Sequence, residues 1–180
     1  MTDKTTLLLL LPLFLIAALG LLKSLLPSGR HIRYRRRAAR ALDRINSGKK
    51  DYQGWIFRYL RKMNPMVFEE LLLEAFKRKG YEVIRNRRYT GDGGLDGKVI
   101  IDGKPRLIQA KRYSSYINPG HVRAFDSLCT EKGTTGFFIH TGKTGQGARD
   151  FSHLSGRVTI ISGDRLLDLL LKERKFNQSN

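Results

Sequence analysis

Apolar residues fall into three regimes along this chain. Residues 7–22 form a run that contains ten leucines and no charged side chain. Residues 30–62 are dense in arginine and lysine, with apolar positions scattered between them. From residue 64 onward the apolar positions recur at helix and strand spacings, so the main folded body is expected over 63–174.

The first regime predicts a membrane helix. Sixteen helical residues rise roughly 24 Å, against a hydrocarbon core of about 30 Å. Extending the helix over 5–26, with Lys23 snorkelling to the interface, completes a span. A cleaved signal peptide is the competing reading, with Ala18-Leu19-Gly20 as its cleavage site. The arginines that follow favour an anchor, because Arg30, Arg33, Arg35, Arg36, Arg37 and Arg40 would hold the body on the cytoplasmic side. The expected location is therefore the cell membrane, single-pass, with the larger domain in the cytoplasm.

Residues 27–62 read as a basic juxtamembrane linker. Within it, Tyr34 to Ile45 is expected to be helical, and Gly48 and Gly54 to flank a joint. Asn64-Pro65 then opens a helix as N-cap and first-turn proline. Phe68, Leu71, Leu72, Ala75 and Phe76 form its apolar stripe, and Gly80 closes it. Strands are predicted over 81–85, 95–101, 105–111, 136–141 and 157–162. Helices are predicted over 118–131, 146–154 and 164–172. This order is α/β, a mixed sheet covered by helices.

Charge narrows the partner. Lys and Arg number 34 against 16 Asp and Glu, a formal +18, which suits polyanions such as nucleic acid or anionic lipid. The lone Cys129 excludes an internal disulfide, and no Cys/His spacing suits a zinc site.

Candidate chemistry concentrates in Gly91-Asp-Gly-Gly-Leu-Asp96-Gly and Gln109-Ala-Lys111-Arg-Tyr113. Asp102-Gly103 is the pair that a two-residue type I′ turn prefers. Counting back from Ile101 opposite Lys104 sets Asp96 opposite Gln109, with Lys111 on the same face. Asp96 is a hard oxygen ligand for Mg²⁺, or alternatively Mn²⁺. Gln109 adds a neutral oxygen, the Ala110 carbonyl another, and Glu69 on the preceding helix a second carboxylate. Lys111 can hold an attacking water or stabilise charge on a phosphate. Arg85, Arg87, Arg88, Lys98, Arg106 and Arg112 crowd this hairpin, and Arg87, Arg88, Lys98, Arg112, Lys143 and Arg149 are the expected DNA contacts. Gly142-Lys143-Thr144 lacks the spacing of a phosphate-binding P-loop, so no nucleotide is expected.

Phe68-Glu69, Gly80-Tyr81-Glu-Val83, Gly91-Asp-Gly-Gly-Leu-Asp96, Gln109-Ala-Lys111-Arg-Tyr113 and Gly136-Phe-Phe-Ile-His-Thr141 together resemble the Mrr-like restriction endonuclease domain of the PD-(D/E)xK nuclease superfamily. The resemblance covers residues 60–172. It implies a three-layer α-β-α restriction-endonuclease-like core, preceded here by one transmembrane helix, and Mg²⁺-dependent DNA cleavage. Asp96 matches the catalytic aspartate, Gln109 the variable acidic position, Lys111 the catalytic lysine and Glu69 the acidic residue of the first helix. His140 stands where many relatives have a small hydroxyl residue. DNA and the membrane are the expected partners, with a homodimer admitted. The alternative is an inactive nuclease-fold module that tethers DNA at the membrane.

Overall fold

Asp102 and Gly103 both take positive φ, 51° and 72°, and Ile101 pairs with Lys104 across them. The turn chosen by the Asp-Gly pair thus sets the hairpin on which the rest of the sheet is built. The computed structural model describes residues 12, 14, 16, 29–48, 53–86 and 94–177.

The strands are β1 (Glu82–Arg85), β2 (Gly97–Ile101), β3 (Lys104–Lys111), β4 (Thr135–His140) and β5 (Val158–Ile161). They lie in that order in one five-stranded sheet. The β1–β2 and β2–β3 pairs are antiparallel, and β3–β4 and β4–β5 are parallel. The parallel pairs require crossovers, supplied by α4 (Pro119–Glu131) and α5 (Gln146–Ser155). A final helix, α6 (Gly163–Leu170), follows β5.

Strand β4 shows why three layers form. Phe137 and Ile139 point into one apolar cluster and Phe138 into another, and all three are fully buried. A strand covered on both faces reads as a continuous apolar run. On one face, Val99, Ile101, Ile108, Phe137 and Ile161 pack with Phe68, Leu72 and Phe76 of α3 (Pro65–Arg78) and with Leu166 and Leu170 of α6. On the other, Leu107, Phe138 and Val158 pack with Val122, Phe125 and Cys129 of α4 and Ala148 of α5. Helix α3 starts as expected: the Asn64 side chain accepts the N–H groups of Met66 and Val67 at 3.0 and 3.4 Å.

The segment expected as a linker contributes to this core. It holds α1 (Gly29–Asn46) and α2 (Gln53–Lys62). Ala38, Ala41, Leu42 and Ile45 of α1, with Ile56 and Leu60 of α2, are buried in the cluster that contains α3. Their i, i+3, i+4, i+7 spacing forms an apolar face that the surrounding arginines hide from a composition-based reading. Each buried Leu or Ile stabilises by roughly 1.5–3 kcal/mol. Gly54, read as part of a joint, lies inside α2.

Among the described residues no helix is long and apolar enough to cross a membrane. The anchor expected over 5–26 lies outside them, apart from helical Pro12, Phe14 and Ile16. Arg87, Arg88 and Gly91 to Gly93 also lie outside the described residues.

Candidate active site

The β2–β3 ladder stops at Gly97 opposite Ile108. The next rung differs from the expected one. Asp96 does not pair with Gln109; its N–H donates to the Ile108 carbonyl at 2.9 Å, and its Oδ2 accepts the Ala110 N–H at 2.6 Å. A side-chain carboxylate thus takes the place of a main-chain acceptor. The N–H and C=O of a strand residue face the same neighbour, so the Ala110 carbonyl is also turned to the Asp96 side. The departure occurs where α3 presses on the strand. A Cβ added at Gly97 would lie 2.8 Å from Leu73 Cδ2, and this close approach brings Glu69, one turn earlier on α3, up to the end of the hairpin.

Gln109 is buried, and its Nε2 donates to the Gly94 carbonyl at 2.9 Å. That bond ties Gln109 to the end of the glycine loop. Gly94 has φ of 84°, and a Cβ there would meet Gln109 Nε2 at 2.6 Å, so both conformation and space require glycine.

The electrostatics tie these groups together. Burial pushes the Glu69 carboxyl up to about 8, and the negative charges of Asp96 and Glu70 push the same way, against Lys111 and Arg112. Burial likewise raises Asp96 to about 6, opposed by the Ala110 N–H and by Lys111. Two carboxyl groups, an amide oxygen and a main-chain carbonyl form a hard-oxygen donor set, the type that suits Mg²⁺ or Mn²⁺. Both acids resist ionising where they stand, and a divalent cation would reverse that balance. Among the described residues no group of three or more Asp, Glu, His or Cys is placed to hold a metal.

The expected basic contacts divide. Arg85 is committed to Glu70 at 2.8 Å and Glu74 at 3.6 Å, and Arg106 lies over the Phe137 ring at 5.6 Å. Arg85 is thus engaged by two carboxylates of α3. Arg112 donates to the Arg61 carbonyl at 3.0 Å and to that of Met63, while Arg61 donates to the Thr141 carbonyl at 2.9 Å. These bonds latch α2 to the ends of β3 and β4. Lys98 is half-buried on β2, and Arg149 is exposed on α5. Lys143 lies over the Tyr116 ring at 5.8 Å, in loops that follow β3 and β4.

Sequence reasoning missed the Glu70 cluster and assigned no role to His140. Buried Glu70, next to Glu69, joins α3 to Arg85 of β1 and, at 3.7 Å, to Arg35 of α1. The Glu70, Glu74, Arg78 spacing at i, i+4, i+8 was its signal. His140 is fully buried. Its Nδ1 accepts the Gly142 N–H at 3.2 Å, so Nε2–H donates to Thr144 at 3.1 Å. Thr144 in turn bonds Ser162 at 3.0 Å. Burial lowers this imidazole to about 4, and its place in the chain is to order the loop after β4.

Comparison with known proteins agrees with this architecture. The Mrr_cat restriction endonuclease model matches residues 60–170. The Type IV methyl-directed restriction enzyme EcoKMrr of Escherichia coli (strain K12) is 30% identical over 125 residues, which are 65% of this chain and 41% of that protein. The chain thus spans about two fifths of the length of that relative. Among solved structures, MspJI restriction endonuclease in complex with a 27-mer oligonucleotide shares the fold, with a TM-score of 0.51 and 21% identity over 71% of this chain and 32% of that one. With the family match covering more than half of its length, the chain belongs to the Mrr_cat restriction endonuclease family.

Proposed function

We propose that this protein is a metal-dependent endonuclease that hydrolyses DNA phosphodiester bonds, held at the cell membrane by its N-terminal segment with the nuclease domain in the cytoplasm. The observation that carries the reaction is the mutual influence of Asp96, Glu69 and Lys111 at the end of one hairpin. Asp96, Glu69, Gln109 Oε1 and the Ala110 carbonyl would hold Mg²⁺ or Mn²⁺, which when bound polarises the phosphate and acidifies water. Lys111 binds the attacking water and stabilises the negative charge that grows on the phosphate as the ester bond breaks. The Ala110 N–H holds Asp96 in place, and Gln109 fixes the loop through Gly94. Lys98, Lys143 and Arg149 are the described basic residues proposed to meet the DNA backbone, with Arg112 serving from its latch on α2.

The test is cleavage of supercoiled plasmid, methylated and unmethylated, by the full chain in neutral detergent with Mg²⁺ or Mn²⁺. Wild type should nick and linearise the DNA, while Asp96→Asn and Lys111→Ala should not. Full cleavage by both variants would overturn the site. Binding without cleavage at any metal concentration supports the second reading, a non-catalytic DNA tether. The methylation arm is motivated by the 30% identical relative, a methyl-directed restriction enzyme.

The anchor rests on the apolar run and on Phe14 and Ile16, exposed at 75% and 68% on helical positions. Release of the chain from membranes by alkaline carbonate would remove this part of the reading.

A further inference from the structure

Several arginines of this domain are engaged within the fold. Arg35, Arg78, Arg85 and Arg157 have carboxylate partners, and Arg61 and Arg112 bond main-chain carbonyls. Arg37, Arg40 and Arg44 of α1 are exposed and no carboxylate of the described residues pairs with them; Arg40 donates to the Arg36 carbonyl of its own helix at 3.3 Å. They line one side of a groove of about 390 Å³ whose other side includes Tyr59, Met63 and Asn64. Burial of Ala38, Ala41, Leu42 and Ile45 fixes the helix and so forces these three arginines into the groove wall.

Arg44 is held ready. Trp55 and Tyr59 stack at 5.1 Å with 7° between their planes, and the Arg44 guanidinium lies 5.5 and 5.6 Å from the two ring centroids. This placement reduces the side-chain freedom that binding would otherwise remove.

We infer that this groove binds consecutive phosphates of a DNA strand that continues from the active site. The inference rests on the nuclease reading for its ligand and goes beyond it in adding a second binding surface. Spacing supports it: residues 37, 40 and 44 span about 10 Å of helix, and strand phosphates advance about 3.4 Å each along the duplex axis. Continuity supports it too. Met63, which lines the groove, gives its carbonyl to Arg112, the residue after Lys111. Three arginines in line along one helix, with Tyr59 beside them, suit a single strand running past them.

The experiment uses the full chain in neutral-lipid nanodiscs, without divalent metal, and measures duplex affinity against salt. Arg37→Ala/Arg40→Ala/Arg44→Ala should lower the slope of log K against log salt by about 2 to 3, at about 0.9 for each phosphate no longer neutralised. Lys77→Ala/Lys104→Ala/Lys132→Ala removes equal charge elsewhere and should leave the slope as in wild type. Arg37→Lys/Arg40→Lys/Arg44→Lys, which keeps the charge on a foldable helix, should restore it. Trp55, the single tryptophan of the chain, stacks on Tyr59 of the groove and lies under Arg44: its fluorescence should change on adding DNA in wild type and not in the alanine triple.

An unchanged slope in the alanine triple overturns the inference. So does a Trp55 response to anionic-lipid nanodiscs in place of DNA, which would assign the groove to lipid. Because the slope reads binding alone, a chain that never cleaves but shows the expected decrease overturns the nuclease reading and keeps the groove.

Discussion

The Oδ2 atom of Asp96 accepts the main-chain N–H of Ala110 at 2.6 Å, so the residue proposed to hold the metal also ends the β2–β3 ladder. Charge and hydrogen bonding in that carboxylate can be separated. Asp96→Asn retains an oxygen for the Ala110 N–H and removes the charge. Thermal unfolding should therefore stay within a few degrees of wild type, while plasmid cleavage falls by about 10²–10³-fold or more. A variant that unfolds early would instead assign Asp96 a structural role.

Glu69 gives a pH signature. Its carboxyl stands near 8 in the folded chain against an ordinary 4.5, so between those values the native state holds a proton that the unfolded state has released. Stability from this group is thus present below about 4.5 and falls as pH rises toward about 8. In EDTA, the melting temperature of wild type should decline from pH 5 to pH 9 more steeply than that of Glu69→Gln. Added Mg²⁺ should reverse the decline in wild type alone, and equal slopes without metal would contradict the electrostatic picture.

His140 acts at the other end of the scale. Burial holds it neutral, near 4 against 6.5 when unfolded. The unfolded state therefore gains the proton first, and stability present above about 6.5 is lost as pH falls toward about 4. The loss over that window should reach roughly 3 kcal/mol by urea titration. His140→Asn should start less stable and show a flatter dependence on pH.

Gly97 tests how α3 is seated. A methyl group there meets Leu73, so Gly97→Ala should cost about 1–3 kcal/mol and displace Glu69. Leu73→Ala added to Gly97→Ala should recover part of the loss, seen as a negative coupling in a double-mutant cycle. Additive losses would assign the cost to the positive φ of Gly97 and the Ile84 carbonyl 3.2 Å away, and not to Leu73.

Much of the hairpin was legible because its information is local. Asp102-Gly103 specifies the turn, the turn specifies the pairing of Ile101 with Lys104, and parity carries the register toward Asp96. The last rung was not legible, because the press of Leu73 on Gly97 joins residues far apart in the chain. Arg85 and Arg106 show the same limit. Their sequence position suggests phosphate, and only the packed structure reveals Glu70 and the Phe137 ring as their partners. The helix over Tyr34 to Ile45 was legible, but its burial and the helix α2 were obscured for another reason: their charge dominates composition, while their apolar residues are few and well spaced.

The bonds from Arg112 to the Arg61 carbonyl and from Arg61 to the Thr141 carbonyl, with the burial of Leu42 and Leu60, bear on where the autonomous folding unit begins. The family match starts at residue 60, yet a fragment cut there would uncover the outer side of α3 and leave both latches without their helix. The smallest piece able to fold should start ahead of the basic helix α1. Deletion series that stop at the family boundary would then report a folding defect in the guise of lost catalysis.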